Sequence, residues 1–390
     1  MIPYGRQDIS ESDIAAVEAV LRSDFLTQGP AIPRFEKAMA EYCGVAHAVA
    51  VNSATSALHI ACRALGLGAG GRLWTSPNTF VASANCARYC GAEVDFVDID
   101  PETLNMSVAA LQTKLEQAER EGTLPDIVVP VHFAGQPCDM AAIAELAKRY
   151  DFAVIEDASH AVGAQYRQER TGACTYSEIT VFSFHPVKIM TTGEGGLLFT
   201  RRADLHEQLG LLRSHGITRD TAKMTGPSQG DWYYEQLDLG YNYRITDMQA
   251  ALGFSQMSRL DEFLARRRDR VARYDEVFRD WPISLQKQPD WAQSAHHLYP
   301  IRIDPQRCGK NRAEVFAALR ATGIGVNVHY IPVHTQPYYR ALGFAAGDFP
   351  EAERYYAEAI SLPMFSAMTE AQQDFVIESL AEALEVSTHA

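Results

Sequence analysis

Residues 178–200 read EITVFSFHPVKIMTTGEGGLLFT, and the interpretation of this stretch decides the fold. EITVFSFH and GGLLFT are apolar runs of strand length, rich in β-branched and aromatic residues, and the glycines of TTGEGG mark a turn between them. Strands that are apolar at nearly every position belong to a sheet covered on both faces. Lys188 falls just beyond the first run. A lone lysine is ordinarily a solvated surface charge. At the end of a strand in an open α/β sheet, however, it stands where such sheets place their ligands.

The same rhythm extends upstream. AHAVAVNS (46–53), RLWTS (72–76), EVDFVDI (93–99), DIVVPVHF and FAVIEDA read as strands, with helices over SATSALHIACRAL, TFVASANCARYC and residues 140–150 between them. Alternation of this kind predicts an α/β fold with a mostly parallel sheet and helices on both faces. Two earlier helices, over 12–23 and about 33–43, are separated by LTQGP. After about residue 250 the pattern fades into a helical segment (247–278), new strands (HLYPIRI, GVNVHYI) and further helices. The expected division is a large domain over 1–250 and a smaller α+β domain over 251–390, with the first twenty or so residues packing beside the latter.

Composition narrows the class. A chain of 390 residues with 47% hydrophobic and 22% charged residues suits a two-domain globular enzyme. A net charge of −14 argues against nucleic acid or an anionic membrane as partner, although a small anionic ligand needs only a local positive pocket. Seven scattered cysteines without a CxxC pair predict reduced thiols, and the absence of an apolar leader or a long apolar run predicts a soluble, cytoplasmic protein. The twelve histidines show no HExxH or other metal spacing, so no metal site is expected.

Three upstream features give Lys188 a context. NSATSAL places Ser53, Ala54, Thr55 and Ser56 at a helix start, where free amides and the helix dipole favour a phosphate; a plain N-cap is the alternative. Ser183 adds a further hydroxyl. VIEDASHAVGA ends an apolar strand on Asp157, which if buried needs a cationic partner such as a protonated ring nitrogen. TSPNTFVAS puts Phe80 beyond another strand end, suited to stack on a planar ring or to fill the core. A phosphate cup, a carboxylate, an aromatic plate and a lysine at successive strand ends meet the needs of pyridoxal 5′-phosphate.

These segments, together with LTQGP, RSHGI, GYNYRITDMQAALG and HLYPI, carry a resemblance. Over essentially its whole length the chain resembles the fold-type I pyridoxal-phosphate aminotransferases of the nucleotide-sugar class, the DegT family. The resemblance implies a mixed seven-stranded sheet, L-glutamate as amino donor, a UDP-4-keto-6-deoxy sugar as acceptor, and a homodimer with shared active sites. It implies that Lys188 bonds to the cofactor and, once released, moves the proton. Asp157 would face the pyridine nitrogen, Phe80 would stack on the ring, and Ala54, Thr55 and Ser183 would hold the phosphate. His160 stands where many relatives carry glutamine, near the phenolic oxygen. Asn242 would reach the neighbouring subunit's phosphate, Arg244 would anchor the donor carboxylate, and Tyr4, Thr27, His329 and Tyr330 would meet the sugar nucleotide.

Two rivals weigh less. Sugar dehydratases of the same fold carry histidine where this chain has Lys188, and a non-catalytic cofactor-binding regulator would need a nucleic-acid-binding segment that is not evident. The remaining site histidines take the plainer reading. His185 shapes the pocket, while His296 and His297 precede a strand and read as surface residues. Glu194 in GEGG reads as structural, and the mouth of the site is expected to be locally basic.

Overall fold

The computed structural model describes residues 1–387. Its central sheet has seven strands, in the spatial order His47–Val51, Gly196–Thr200, Ile179–Ser183, Ala153–Asp157, Ile127–Val129, Arg72–Thr75 and Glu93–Phe96. Gly196–Thr200 runs antiparallel to both neighbours, and the other pairs are parallel. Ile179–Ser183 and Gly196–Thr200 are buried at every position.

Alternation along each strand assigns side chains to two layers. Val51, Val129, Ile155, Val181 and Leu198 pack with helices Ala54–Ala64 and Ala82–Tyr89 on one face. Phe182 and Phe199 meet helix Ala31–Cys43 on the other, while Trp74, Val128 and Val154 meet helices Val108–Glu121 and Met140–Tyr150.

A second core forms around a three-stranded antiparallel sheet, Ile283–Leu285, Tyr299–Ile303 and Ala359–Leu362. Helix Leu260–Phe278 joins the two cores: Leu260, Phe263 and Leu264 pack with the large sheet, and Val271, Tyr274 and Phe278 pack with the small one. The N-terminal strand Ile2–Pro3 pairs in parallel with Ile324–Gly325, and Asp13 of helix Glu11–Leu21 is held by Arg259 and Gln256 at 2.6 and 2.7 Å.

GVNVHYI is not the strand its composition suggests. Only Ile324–Gly325 is strand, and the chain then runs as an extended loop bridged at Asn327 to Ser361. It leaves the sheet because Asn327, His329 and Tyr330 turn into the main cavity.

Candidate active site

Five strand ends converge on a cavity of about 570 Å³. It unites ten residues expected from the sequence: Tyr4, Ala54, Thr55, Phe80, Asp157, His160, Ser183, Lys188, His329 and Tyr330. A larger cleft of about 770 Å³ opens beside the edge strand, but its charges are already satisfied, Arg72 by Glu93 at 3.0 Å and Lys114 by Asp95 at 2.7 Å.

At one end of the cavity, Ser53 caps helix Ala54–Ala64 by accepting the Ser56 amide at 3.1 Å. Ala54 and Thr55, the first residues of this helix, line the cavity, and the first amides of a helix lack intrahelical partners. Gly196 backs this turn closely. A Cβ there would lie 2.6 Å from the Ala54 nitrogen and 2.6 Å from the Ser53 carbonyl carbon, so only glycine lets strand and helix start meet.

Asp157 is buried in the middle. Its Oδ2 accepts the Ser83 hydroxyl at 2.6 Å and its Oδ1 accepts the Ser159 amide at 3.1 Å. Both donors hold the carboxylate in place. Lys188 opens onto the cavity while protein crowds it from the sides; burial lowers its ammonium from the ordinary 10.5 to about 8, against the pull of Asp157 toward the charged form. An amine poised near neutrality can both take and return a proton.

Phe80, 59% exposed in the protomer, presents its ring to the cavity 6.4 Å from that of Tyr330. His160 is buried, with Nε2 hydrogen-bonded to the Tyr330 hydroxyl at 3.0 Å and Nδ1 lacking a partner among the described residues. Burial, then Lys188 and His329, keep it neutral, and burial raises Tyr330 so that its hydroxyl stays protonated. His329 is fixed by Ser361 at 2.8 Å and Asn327 at 3.3 Å; burial and then Lys188 lower it to about 3. Tyr4 lies 5.1 Å from the His329 ring.

Three expected residues stand outside this cavity. Thr27 bridges Thr246, Asn242 bridges Ser214 on the exposed surface, and Arg244 bridges Val51. The expected basic mouth is also missing from the single protomer, since Lys188 is the only lysine or arginine among the lining residues. His297 corrects another expectation. It is buried and lines the cavity rather than the surface, because its amide is drawn inward by the Ala134 carbonyl at 2.8 Å. Ser83 was not singled out either; its signal was a hydroxyl one helical turn beyond Thr79, to which it bonds at 2.8 Å.

This sheet, with a lysine, a carboxylate and a helix start facing one another at its strand ends, defines a pyridoxal-phosphate enzyme of fold type I. The residues fit the cofactor: free amides for an anion, a buried carboxylate for a protonated ring nitrogen, an open aromatic face, and an unpaired His160 Nδ1. The chain belongs to the DegT/DnrJ/EryC1/StrS aminotransferase family, whose model matches residues 7–381. It is 40% identical over 384 residues to the spore coat polysaccharide biosynthesis protein SpsC of Bacillus subtilis strain 168, covering 98% of this chain and 96% of that protein. It is 38% identical over 388 residues to the UDP-4-amino-4,6-dideoxy-N-acetyl-beta-L-altrosamine transaminase of Campylobacter jejuni strain NCTC 11168, covering 99% and 98%. The Helicobacter pylori aminotransferase PseC, described as involved in the biosynthesis of pseudoaminic acid, superposes with a TM-score of 0.89 at 29% identity over 98% of this chain and 99% of that one. The protein is a sugar aminotransferase, and its cofactor is pyridoxal 5′-phosphate.

Proposed function

We propose that this protein transfers an amino group from L-glutamate to carbon 4 of a UDP-4-keto-6-deoxy-N-acetylhexose, giving UDP-4-amino-4,6-dideoxy-N-acetyl-β-L-altrosamine, a step of pseudaminic acid biosynthesis. The observation that carries this reading is the near-full-length likeness to the Campylobacter transaminase, combined with a cavity built around Lys188. When bound, the cofactor supplies the electron sink that makes the carbon–nitrogen exchange feasible. The chain does the rest. Ala54, Thr55 and Ser183 hold the phosphate, Asp157 keeps the ring nitrogen protonated, and Phe80 covers the ring. Lys188, lowered to about 8, moves the proton between the reacting carbons. Tyr4, His329 and Tyr330, which line the same cavity, meet the sugar nucleotide in this reading.

The same reading makes the protein a homodimer. Phe25, Trp232 and Leu239 are large apolar residues left exposed in the protomer, and Asn242 lies exposed among the neighbouring segments. Asn242 then serves the partner's phosphate, and Thr27 and Arg244 complete a site that one chain leaves open. The large domain over 1–250 holds the cofactor, and the remainder closes over the sugar.

A second reading keeps the mechanism and changes the sugar to a bacillosamine-type or perosamine-type 4-keto precursor. The 40% identity to SpsC favours weighing it. An assay with L-glutamate and UDP-4-keto-6-deoxy sugars of L-arabino and D-xylo configuration separates the two, with product stereochemistry read by NMR. Amination of the L-arabino ketone alone is expected. Preference for the D-xylo ketone would move the protein to the second reading.

A further inference from the structure

Three buried side chains behind the cavity wall form one chain of hydrogen bonds. Thr79 Oγ1 lies 2.8 Å from Ser83 Oγ, and Ser83 Oγ lies 2.6 Å from Asp157 Oδ2. Thr79 and Asp157 both line the cavity, and Ser83 is the link between them. The other carboxylate oxygen of Asp157 accepts the Ser159 amide at 3.1 Å.

Counting protons gives this chain a direction. A serine hydroxyl has one proton to donate. Two acceptors stand in its reach, the Asp157 carboxylate at 2.6 Å and the Phe80 carbonyl, one helical turn back, at 3.4 Å. The short bond to the carboxylate is the stronger of the two. With the Ser83 proton spent on Asp157, Thr79 must be the donor in its contact with Ser83. That donation does two things. It occupies a lone pair of Ser83 and so holds the hydroxyl turned toward Asp157, away from the Phe80 carbonyl. It also polarises Ser83, since a hydroxyl that accepts one hydrogen bond donates the next more strongly.

Thr79 is itself fixed by the segment before it. Asn78 Oδ1 accepts the Tyr330 amide at 3.3 Å, and the Pro77 carbonyl accepts the Val333 amide at 2.9 Å. Thr79 and Ser83, four residues apart across the start of helix Ala82–Tyr89, thus meet on a backbone that is held from outside the helix.

We propose that Thr79 is a positioning residue: acting through Ser83, it fixes the Asp157 carboxylate and thereby how firmly the cofactor's ring nitrogen keeps its proton. The assignment rests on the reading above in which Asp157 meets that nitrogen.

Pyridoxal 5′-phosphate labelled with ¹⁵N in the ring is the probe. Its chemical shift in the holoenzyme is read by NMR for wild type and variants, beside kcat with L-glutamate. Wild type should give the shift of a protonated ring. Thr79→Val keeps the shape of the side chain and removes the donor. It should move the shift toward that of an unprotonated ring and lower kcat about three- to tenfold, the worth of one neutral hydrogen bond. Thr79→Ser restores the hydroxyl and should return both to wild type, whereas Ser83→Ala should move the shift at least as far as Thr79→Val. A wild-type shift in Thr79→Val overturns the proposal, and so does a Thr79→Ser shift that follows Thr79→Val, because the methyl group would then be what matters. Should Thr79→Val not fold, Ser83→Ala decides, and an unmoved shift there overturns the proposal equally. The wild-type shift tests the broader reading separately. An unprotonated ring in wild type means that Asp157 does not serve the nitrogen; a protonated ring that ignores Thr79→Val removes only the role of Thr79.

Discussion

At position 188 a lysine is placed where its ammonium is poorly solvated, and that cost is what makes it useful. Its lowered value of about 8 implies that the apoenzyme captures pyridoxal phosphate faster as pH rises, with a midpoint near 8 rather than near 10.5. Stopped-flow absorbance checks this. Lys188→Ala should lose the visible absorbance of the enzyme-bound cofactor, and turnover should fall by at least about a thousand-fold, since the proton then has no carrier. Ser83→Ala removes a 2.6 Å donor from Asp157. A hydrogen bond to a charged group is worth about 1.5–3 kcal/mol, so kcat should fall about tenfold or more while the fold persists. Lys188 and Asp157 were legible in the sequence because Asp157 closes an apolar strand and Lys188 follows shortly after another, where a charge has little structural use. His297 and Ser83 were not, because what brings them inward are contacts to Ala134 and to Thr79 and Asp157, and these depend on folding.

Between elements, the decisive contact is that of Gly196 with the start of helix Ala54–Ala64. Gly196→Ala sets a methyl group 2.6 Å from backbone atoms that cannot yield, so the helix start must shift. Cofactor affinity should fall at least about tenfold, with a stability loss of about 1–3 kcal/mol from overpacking. Gly210, inside helix Ala203–Arg213, is the control: a Cβ there meets nothing within 4 Å. Gly210→Ala should stabilise the protein by about 0.5–1 kcal/mol and leave cofactor affinity unchanged, as equilibrium binding and thermal melts would show. All seven strands of the sheet were visible as apolar runs, because burial on both faces writes itself into composition. GVNVHYI deceived for the same reason. Its valines mimic a strand, whereas Asn327, His329 and Tyr330 draw the chain toward the cavity.

For the molecule as a whole, stability depends on a buried carboxylate beside the site. Glu156 accepts from His132 at 2.8 Å, Ser177 at 2.5 Å and Thr180 at 3.0 Å. Burial alone would raise its carboxyl, but these donors outweigh burial and hold it below 4.5. A lowered carboxyl stabilises the fold above its ordinary value, and that contribution is lost as pH falls through the folded-state value. Glu156→Gln should therefore cost about 3–5 kcal/mol near neutrality, the cost of breaking a buried pair. The gap between wild type and variant should narrow below about pH 4.5 in denaturant melts. The assembly was less legible than the protomer. Asn242 and Arg244 could be assigned only by resemblance, because one chain gives them no cavity to face.

The central claim is that this cavity carries nitrogen from an amino acid to a sugar nucleotide by way of Lys188. The most direct measurement is the fate of the label from ¹⁵N-glutamate in a reaction with the L-arabino UDP-4-keto sugar, followed by NMR with wild type and Lys188→Ala. The account predicts ¹⁵N on carbon 4 of the sugar with wild type and none with the variant. Label that never leaves glutamate, or transfer by the variant at the wild-type rate, would contradict it.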